Sequence, residues 1–456
     1  MSFLKSIVIA ASVSCVVIVG GAVAWLSVSP PELLRVGDGY AAKIVCSNVF
    51  IAGRDASEVF GDDVQAPGNP ILRFIRVSVD KERRTVKAGI FGLFAPSYAL
   101  YRGRYGCATV PDGDLEGAEK ALAYAPVQAG GANPSPWPDG EGAGQTNPSV
   151  QALLGDSELA GPGIRALLVV RDGQIIGESY GPGFDAKTPL LGWSMTKTVN
   201  AAVVGMMMKD GKMSFADNTL FSEWRADDRA KIKLSDLLAM QSGLAFDESY
   251  GVVTDATRML YLDRDMVRLP LSKPLAAPPG SSFVYSTGSA VLLSRLWMNR
   301  IGDTEQALSF PYDRLFGPLG MTSAVLEADA QGTYVGGSYL YATPRDWARF
   351  GQLLVQDGVW KGERLLPEEF MQAMRTPTKP SAGLYGGTQN WLSPPGMQNN
   401  QQAGLPEDVV WLQGHDGQSI AIVPSARLIL VRMGLTPSST AYGPQVLLRK
   451  ILDAIR

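Results

Sequence analysis

The chain has 456 residues, of which 46% are hydrophobic and 19% are charged, and its formal net charge at pH 7 is -3. This length is sufficient for a large core and for more than one domain. The weak negative charge argues against a basic surface that binds nucleic acid. One histidine and three cysteines cannot supply the usual zinc ligand sets, although a metal site built only from carboxylates stays open. No dinucleotide fingerprint or phosphate loop is present, and we predict no cofactor.

The first 30 residues differ from the rest of the chain. Residues 7–28 contain no charged side chain and follow Lys5, and their number is close to the ~20 residues that a helix needs to span a bilayer. We predict a transmembrane signal anchor over residues 1–30, in the inner (cytoplasmic) membrane. Since Lys5 favours a cytoplasmic N-terminus, the bulk of the chain is expected on the periplasmic side. The alternative is cleavage near Ala24, which would release a secreted protein.

Residues 31–110 are predicted to form a small region of their own. Residues 41–46, 73–79 and 87–92 show the apolar or alternating patterns that are typical of strands. Each of these segments is short, and its hydrophobic pattern is the main evidence that it forms a strand. The sequence therefore predicts a small β-rich region after the anchor.

Two cysteines lie in this region, Cys46 near its start and Cys107 near its end. In an oxidising compartment an even pair of cysteines predicts a disulfide, which here would join the two ends of the region. The alternative is two separate buried thiols. Residues 111–147 follow and are rich in Gly and Pro, which predicts a linker or a segment that wraps around the next domain.

From residue 148 to residue 456 the chain is predicted to form one domain. Residues 166–170 and 174–177 flank Asp172-Gly173, a pair that favours a tight β-hairpin. A second predicted hairpin lies near the C-terminus, at residues 419–431, and an amphipathic helix ends the chain. The segments between the hairpins are mostly helical. This order predicts an α+β fold in which sequence-distant hairpins form one sheet and carry a helical insertion.

Three short stretches carry residues capable of chemistry. Ser194-Met195-Thr196-Lys197 precedes an apolar helical run and places a hydroxyl and an amine on one helix face. Tyr285-Ser286-Thr287 follows a Pro-Pro-Gly turn, and Gly414-His415-Asp416-Gly417-Gln418 leads into a strand. Each stretch taken alone is more simply explained as a helix cap, a core tyrosine or a tight turn.

Taken together, and in this order, the three stretches resemble the motifs of the serine β-lactamase and penicillin-recognising family. Its relevant branch contains class C β-lactamases, D-alanyl-D-alanine carboxypeptidases, esterases and 6-aminohexanoate-dimer hydrolases. Flanking residues also resemble the family, namely Asp210-Gly211-Lys212-Met213, Ser242-Gly243-Leu244, Pro318-Leu319-Gly320-Met321 and Thr343 to Gly351. The resemblance covers residues 148–456. It implies a β-lactamase/transpeptidase-like fold, an antiparallel sheet flanked by helices.

The resemblance also implies roles for individual residues. Ser194 would be the nucleophile and Lys197 its activator. Tyr285 would be a second general base and later the acid for the leaving group, with a phenol pKa lowered by the neighbouring ammonium. His415 would orient or bind substrate. The backbone N–H of Gln418 would join that of Ser194 in an oxyanion hole, and Gly417 would let the strand approach the substrate closely.

Two departures from the family pattern bear on the substrate. Thr287 stands where β-lactamases and peptidases usually carry Asn, and His415-Asp416-Gly417 replaces Lys-Thr-Gly, which removes a fixed positive charge. The resemblance is therefore strongest to 6-aminohexanoate-dimer hydrolase-like proteins. It implies a serine hydrolase that acts on an amide or ester of a small molecule or short peptide.

Two other functions stay open from the sequence. One is a membrane-anchored protein that binds penicillin or D-peptides with weak or no turnover. The other is an α/β-hydrolase with a Ser-Asp-His triad, since Ser194 and His415 have the chain order of that fold. The absence of Gly-x-Ser-x-Gly around Ser194 argues against the triad enzyme.

Overall fold

A computed structural model of the chain describes Ile7 and residues 12–14, 20–21, 23–66, 68–127, 133–142 and 144–456. The predicted membrane anchor at residues 7–28 lies partly outside these residues. Within the described ranges, no helix is both long and apolar enough to cross a bilayer.

The N-terminal region consists of one long helix packed on a four-stranded antiparallel meander. Its helices are α1 (Glu32–Phe50), α2 (Ala56–Val59) and α3 (Leu115–Ala121), and its strands are β1 (Ile75–Asp80), β2 (Thr85–Ile90), β3 (Phe94–Tyr101) and β4 (Cys107–Val110), in the order β1-β2-β3-β4. Ala42 and Cys46 of α1 pack against Ala88 and Ala99 of the sheet in one buried cluster.

The prediction of a strand at residues 41–46 is wrong, because these residues lie inside α1. The helix begins after Pro31 and is buried over most of its length, from Val36 to Asn48. A helix enclosed on nearly all sides has no polar face, and a short apolar run then cannot be told from a strand by its periodicity. The predicted strands near residues 73–79 and 87–92 correspond to β1 and β2.

The disulfide between Cys46 of α1 and Cys107 of β4 is present, as the sequence predicted. It closes a loop of 61 residues and fixes the long helix to the last strand of the meander.

The larger part of the chain is built on a five-stranded antiparallel sheet in the order β12-β13-β14-β5-β6. Its strands are β5 (Ile164–Arg171), β6 (Gln174–Tyr180), β12 (Val410–Gln413), β13 (Ser419–Val423) and β14 (Leu428–Gly434). The two predicted hairpins are thus confirmed, and β14 pairs with β5, for example Leu430 with Val169. The shorter strands are β7 (Leu190–Leu191), β8 (Val325–Leu326), β9 (Leu340–Ala342), β10 (Val359–Trp360) and β11 (Glu363–Arg364).

Helices lie on both faces of this sheet and between its hairpins. The helices of this part of the chain are α4 (Pro148–Leu154), α5 (Ser157–Ala160), α6 (Thr196–Lys209), α7 (Leu234–Leu238), α8 (Asp255–Leu262), α9 (Arg268–Ser272), α10 (Thr287–Ile301), α11 (Thr304–Pro311), α12 (Gly317–Leu319), α13 (Pro344–Val355), α14 (Glu368–Arg375) and α15 (Gln445–Ala454). Alternate residues of β5 point to opposite faces, as the strand geometry requires. Leu168 and Val170 enter the main core, whereas Leu167 and Val169 enter a second core with α4 and α15.

This arrangement is an α+β, β-lactamase-like fold. Because the sheet is antiparallel throughout, it is not the parallel sheet of an α/β-hydrolase, and the Ser-Asp-His alternative is wrong at the level of the fold. Within the segment predicted as a linker, residues 115–121 form the helix α3 and residues 133–142 lie against α13. The side chain of Trp137 is buried there, and Arg349 donates to the backbone oxygens of Pro138 and Gly140. The wrapping alternative therefore describes residues 133–142.

Candidate active site

Ser194 lies in a single helical turn, Trp193–Met195, directly before α6. Gly192 precedes this turn, and a Cβ there would come within 2.2 Å of the Trp347 ring, so only glycine fits. Trp193 has a φ of +47°, a left-handed conformation that costs a non-glycine residue energy and is often kept at functional sites. The backbone before the nucleophile is thus tightly constrained.

Lys197 lies on the first turn of α6, three residues after Ser194. Its Nζ donates hydrogen bonds to Ser194 Oγ at 3.1 Å, to Thr287 Oγ1 at 2.9 Å and to the backbone oxygen of Gly337 at 2.8 Å. All three ammonium protons thus have acceptors. Burial lowers the pKa of Lys197 to about 8, against an opposing effect of Glu248. A minor fraction of the amine, about a tenth, is therefore neutral beside the serine at pH 7.

Tyr285 brings a phenol to the other side of the serine. Its ring centroid lies 4.8 Å from Lys197 Nζ, and it lines the same cavity as Ser194. Burial raises the pKa of Tyr285, and an interaction with the Ser194 hydroxyl opposes that rise only in part. The expected lowering of the phenol pKa is wrong, because burial raises it. Tyr285 is therefore protonated in the resting site.

The structure thus brings together the three residues that the sequence proposed as catalytic. The two residues that follow Tyr285 in its motif have structural roles. Ser286 is the N-cap of α10 and accepts from the backbone N–H of Ser289 at 3.0 Å, and Thr287 begins that helix.

The third motif contributes less than expected to the site. His415 lines the cavity that contains Ser194 and Tyr285. It is half exposed, and its Nε2 lies 3.5 Å from Asp416 Oδ1. In the described part of the chain no hydrogen bond joins His415 to Ser194.

Gly417 and Gln418 do not line this cavity. Gly417 has a φ of +81° and its oxygen accepts from Arg432 at 2.8 Å, so it serves the turn and not a close approach to substrate. Gln418 accepts from the backbone N–H of Gly434 at 2.9 Å, which fixes the start of β13. The role of its backbone N–H in an oxyanion hole stays a prediction.

Sequence reasoning missed Glu248. Its carboxylate accepts from the backbone N–H of Thr287 at 2.7 Å, from the Thr287 hydroxyl and from the Tyr250 hydroxyl at 3.0 Å. Only its position, shortly after the Ser242-Gly243-Leu244 motif, could have drawn attention to it. The loop of Glu248 folds back over the beginning of α10, a contact between segments 39 residues apart.

The cavity itself has a volume of about 690 Å³, within the range of small-molecule sites. Trp391 flanks Tyr285 with ring centroids 5.4 Å apart, and Tyr250 and Trp193 lie against the His415 ring. Among the described residues no group of three or more His, Cys, Asp or Glu side chains is arranged to hold a metal ion.

Comparison with known structures supports this fold. A candidate 6-aminohexanoate-dimer hydrolase from Bacillus anthracis superposes with a TM-score of 0.54 and 23% identity, covering 64% of this chain and 78% of that one. A candidate β-lactamase from Bacteroides dorei gives a TM-score of 0.53 and 21% identity over 65% of this chain and 95% of that one. A family VIII carboxylesterase superposes with a TM-score of 0.52 and 15% identity, covering 68% of this chain and 98% of that one.

Comparison with curated protein sequences gave no match. The profile of the Beta-lactamase family, in contrast, matches residues 157–445, which include Ser194, Lys197, Tyr285 and His415 and more than half of the chain. The chain belongs to the Beta-lactamase family and is a serine hydrolase.

Proposed function

We propose that the chain hydrolyses an ester or amide through an acyl-enzyme formed on Ser194. One observation carries this proposal: Ser194 Oγ lies 3.1 Å from Lys197 Nζ, and Ser194 and Tyr285 line one cavity that is large enough for a small molecule. An alcohol held between an amine and a phenol can be activated without histidine.

The protonation states suggest a division of roles. The neutral form of Lys197, accessible because its pKa is about 8, takes the proton of Ser194 as Oγ attacks the carbonyl carbon. The protonated Tyr285 then donates to the leaving alcohol or amine as the carbon–heteroatom bond breaks, and recovers a proton from Lys197. Water attacks the resulting ester on Ser194 by the same proton transfers, which releases the acid and restores the serine.

The proposed substrate class is inferred from the departures from the family pattern. Thr287 hydrogen-bonds with Lys197 and Glu248, so it does not offer the amide with which the family's usual asparagine contacts a penicillin or peptide. The proposal therefore favours the esterase and amide-hydrolase branch, which includes 6-aminohexanoate-dimer hydrolase-like proteins, over β-lactam hydrolysis.

Export to the periplasm and anchoring by residues 7–28 also remain part of the proposal. The disulfide between Cys46 and Cys107 supports an oxidising compartment, because such bonds rarely persist in the cytosol. Alkaline extraction of membranes tests the anchor. An anchored protein stays with the lipid, whereas a chain cleaved near Ala24 is recovered in the soluble fraction.

The test of the activity compares the wild-type protein with Ser194→Ala on p-nitrophenyl acetate. We expect the variant to lose turnover by about 10³-fold or more, with an unchanged melting temperature. Retained turnover in Ser194→Ala would remove this residue from the mechanism.

Mass spectrometry separates a hydrolase from a protein that only binds penicillin or D-peptides. A hydrolase shows an adduct on Ser194 that appears with an activated ester and decays as product accumulates. A stable adduct without turnover would favour the binding protein instead.

A further inference from the structure

The active-site cavity is closed on one side by the N-terminal region. Among its lining residues is a set that we call the N-terminal wall, formed by Leu33, Val36, Gly37, Tyr40, Ile71 and Leu72. These residues come from α1 and from the turn Pro70–Phe74. They lie outside residues 157–445, which match the family profile. The wall is therefore an addition of this chain to the family's site.

This wall is firmly attached to the catalytic domain. Lys43 of α1 forms an ion pair with Glu327 at 2.5 Å, and both side chains are almost fully buried. Ser47 also donates to Glu327, at 2.8 Å. A Cβ on Gly39 would lie 2.7 Å from the backbone oxygen of Tyr261, so α1 packs directly on α8. The wall is thus a fixed part of the site and not a lid.

The wall is apolar where it faces the cavity. Val36 and Leu72 are 8% and 5% exposed, so they are shielded from bulk water yet line the cavity. Apolar side chains continue to its mouth, where Tyr250 and Val252 are 40% and 55% exposed. The apolar wall of this cavity is suited to an aliphatic chain, because burial of both surfaces removes them from water.

The charged residues that line the cavity have one sign. They are Glu248 and Asp416, and the described lining includes neither Lys nor Arg. The nearby Lys197 is buried, and its Nζ already donates to Ser194, Thr287 and Gly337, so a substrate carboxylate would meet negative charge without a free cationic partner. An uncharged substrate avoids this repulsion.

We propose that the N-terminal wall binds the aliphatic acyl chain of an uncharged ester or amide. This inference rests on the proposed hydrolase function. Since the acyl group is the part that becomes bonded to Ser194, and Ser194 opens into the same cavity as the wall, the chain extends from the nucleophile along α1.

The test uses two p-nitrophenyl esters, the acetate and the decanoate, with the full-length protein in detergent below the concentration at which the esters partition into micelles. The wild-type kcat/KM for the decanoate is expected to exceed that for the acetate by about tenfold or more, because the added methylenes leave water. An ester of similar length that ends in a carboxylate should be hydrolysed at least about tenfold less efficiently than the decanoate.

Two neighbouring residues of α1 provide a matched pair of variants. Leu33 lines the cavity, whereas Leu34 packs against the core of the N-terminal region, and both are half-buried. Leu33→Asp should abolish the preference for the decanoate, measured as the ratio of kcat/KM for the decanoate to kcat/KM for the acetate. Leu34→Asp should retain the preference. Ile71→Asp, on the other element of the wall, is a second test if Leu33→Asp fails to fold.

The outcomes separate this inference from the proposed function. Efficient acetate hydrolysis without a preference for the decanoate, or equal effects of Leu33→Asp and Leu34→Asp, would overturn the inference and leave the hydrolase intact. Turnover of neither ester by the folded wild-type protein would overturn both. Preference for the carboxylate-ended ester would contradict the inference alone.

Discussion

Glu248 contacts Lys197 through a single group, the hydroxyl of Thr287. Lys197 Nζ donates to Thr287 Oγ1 at 2.9 Å, and that hydroxyl donates its own proton to the Glu248 carboxylate. A buried amine beside the nucleophile is thereby coupled to a negative charge that is not part of the three predicted catalytic residues. The charge of Glu248 acts against the effect of burial on the pKa of Lys197.

The first prediction is that Glu248→Gln shifts the pH dependence of hydrolysis. The reactive form of Lys197 is the neutral amine, so kcat/KM should rise with pH through about 8, the pKa of this group. Loss of the negative charge lowers that pKa further, so the rising limb should move to lower pH. A pH–rate profile with a short-chain ester measures the shift.

The control for this experiment is Asp247→Asn. Asp247 is an exposed acid next to Glu248, and it accepts from the backbone N–H of Ser249 instead of Thr287. Removal of the Asp247 charge should leave the rising limb of the pH–rate profile at the same pH. An unchanged profile in Glu248→Gln would show that the carboxylate does not influence the catalytic amine.

The second prediction concerns Thr287 itself. Thr287→Val keeps the shape of the side chain but removes the hydroxyl, which leaves the buried Lys197 with one acceptor fewer and Glu248 with one donor fewer. A buried group without its partner costs about 1–3 kcal/mol, so kcat should fall by roughly ten- to a hundredfold. Thr287→Ser should restore most of the rate. Equal activity of the Val and Ser variants would contradict a role for the hydroxyl.

The third prediction separates this site from a serine–histidine triad. His415 is half exposed and contacts Asp416, Trp193 and Tyr250, whereas Ser194 Oγ accepts a hydrogen bond from Lys197. We expect His415→Ala to reduce kcat/KM by about tenfold or less. In a triad enzyme the loss is about 10⁴-fold or more, and a loss of that size would make His415 the general base.

The fourth prediction tests the attachment of the N-terminal wall. Lys43→Met leaves the Glu327 carboxylate buried without its cation, which typically costs about 3–5 kcal/mol of unfolding free energy. Urea unfolding of the full-length protein measures this loss. The matched control is Lys120→Met, because Lys120 pairs with Glu116 at 2.7 Å on an exposed surface, where such pairs contribute about 1 kcal/mol or less. Similar losses in both variants would contradict the importance of the buried pair.

The features that were predictable from sequence depend on residues that are close together in the chain. The hairpin around Asp172-Gly173 and the spacing of Ser194 and Lys197 follow from turn chemistry and from the period of a helix. Tyr285 was found through a family motif, and the structure places it beside Ser194. The disulfide was accessible because only two cysteines follow the predicted anchor.

The features that were not predictable depend on distant contacts. The helix α1 was taken in part for a strand, because its burial against β2, β3 and β4 removes the polar face that would reveal a helix. Glu248 and the N-terminal wall gain their significance only when loops and a separate region meet at the cavity. Burial also raises the pKa of Tyr285, and that burial results from packing that the sequence does not display.

Glu327 receives three donors from the N-terminal region: Lys43 Nζ, Ser47 Oγ and the backbone N–H of Cys107. A shortened gene product that begins at residue 148 would keep this carboxylate but lose every one of those donors, together with the helix that covers Tyr261. Residues 148–456 are therefore not an interchangeable module. Expressed alone, they would be unstable, because a buried carboxylate would lack its donors and an apolar surface would lack its cover.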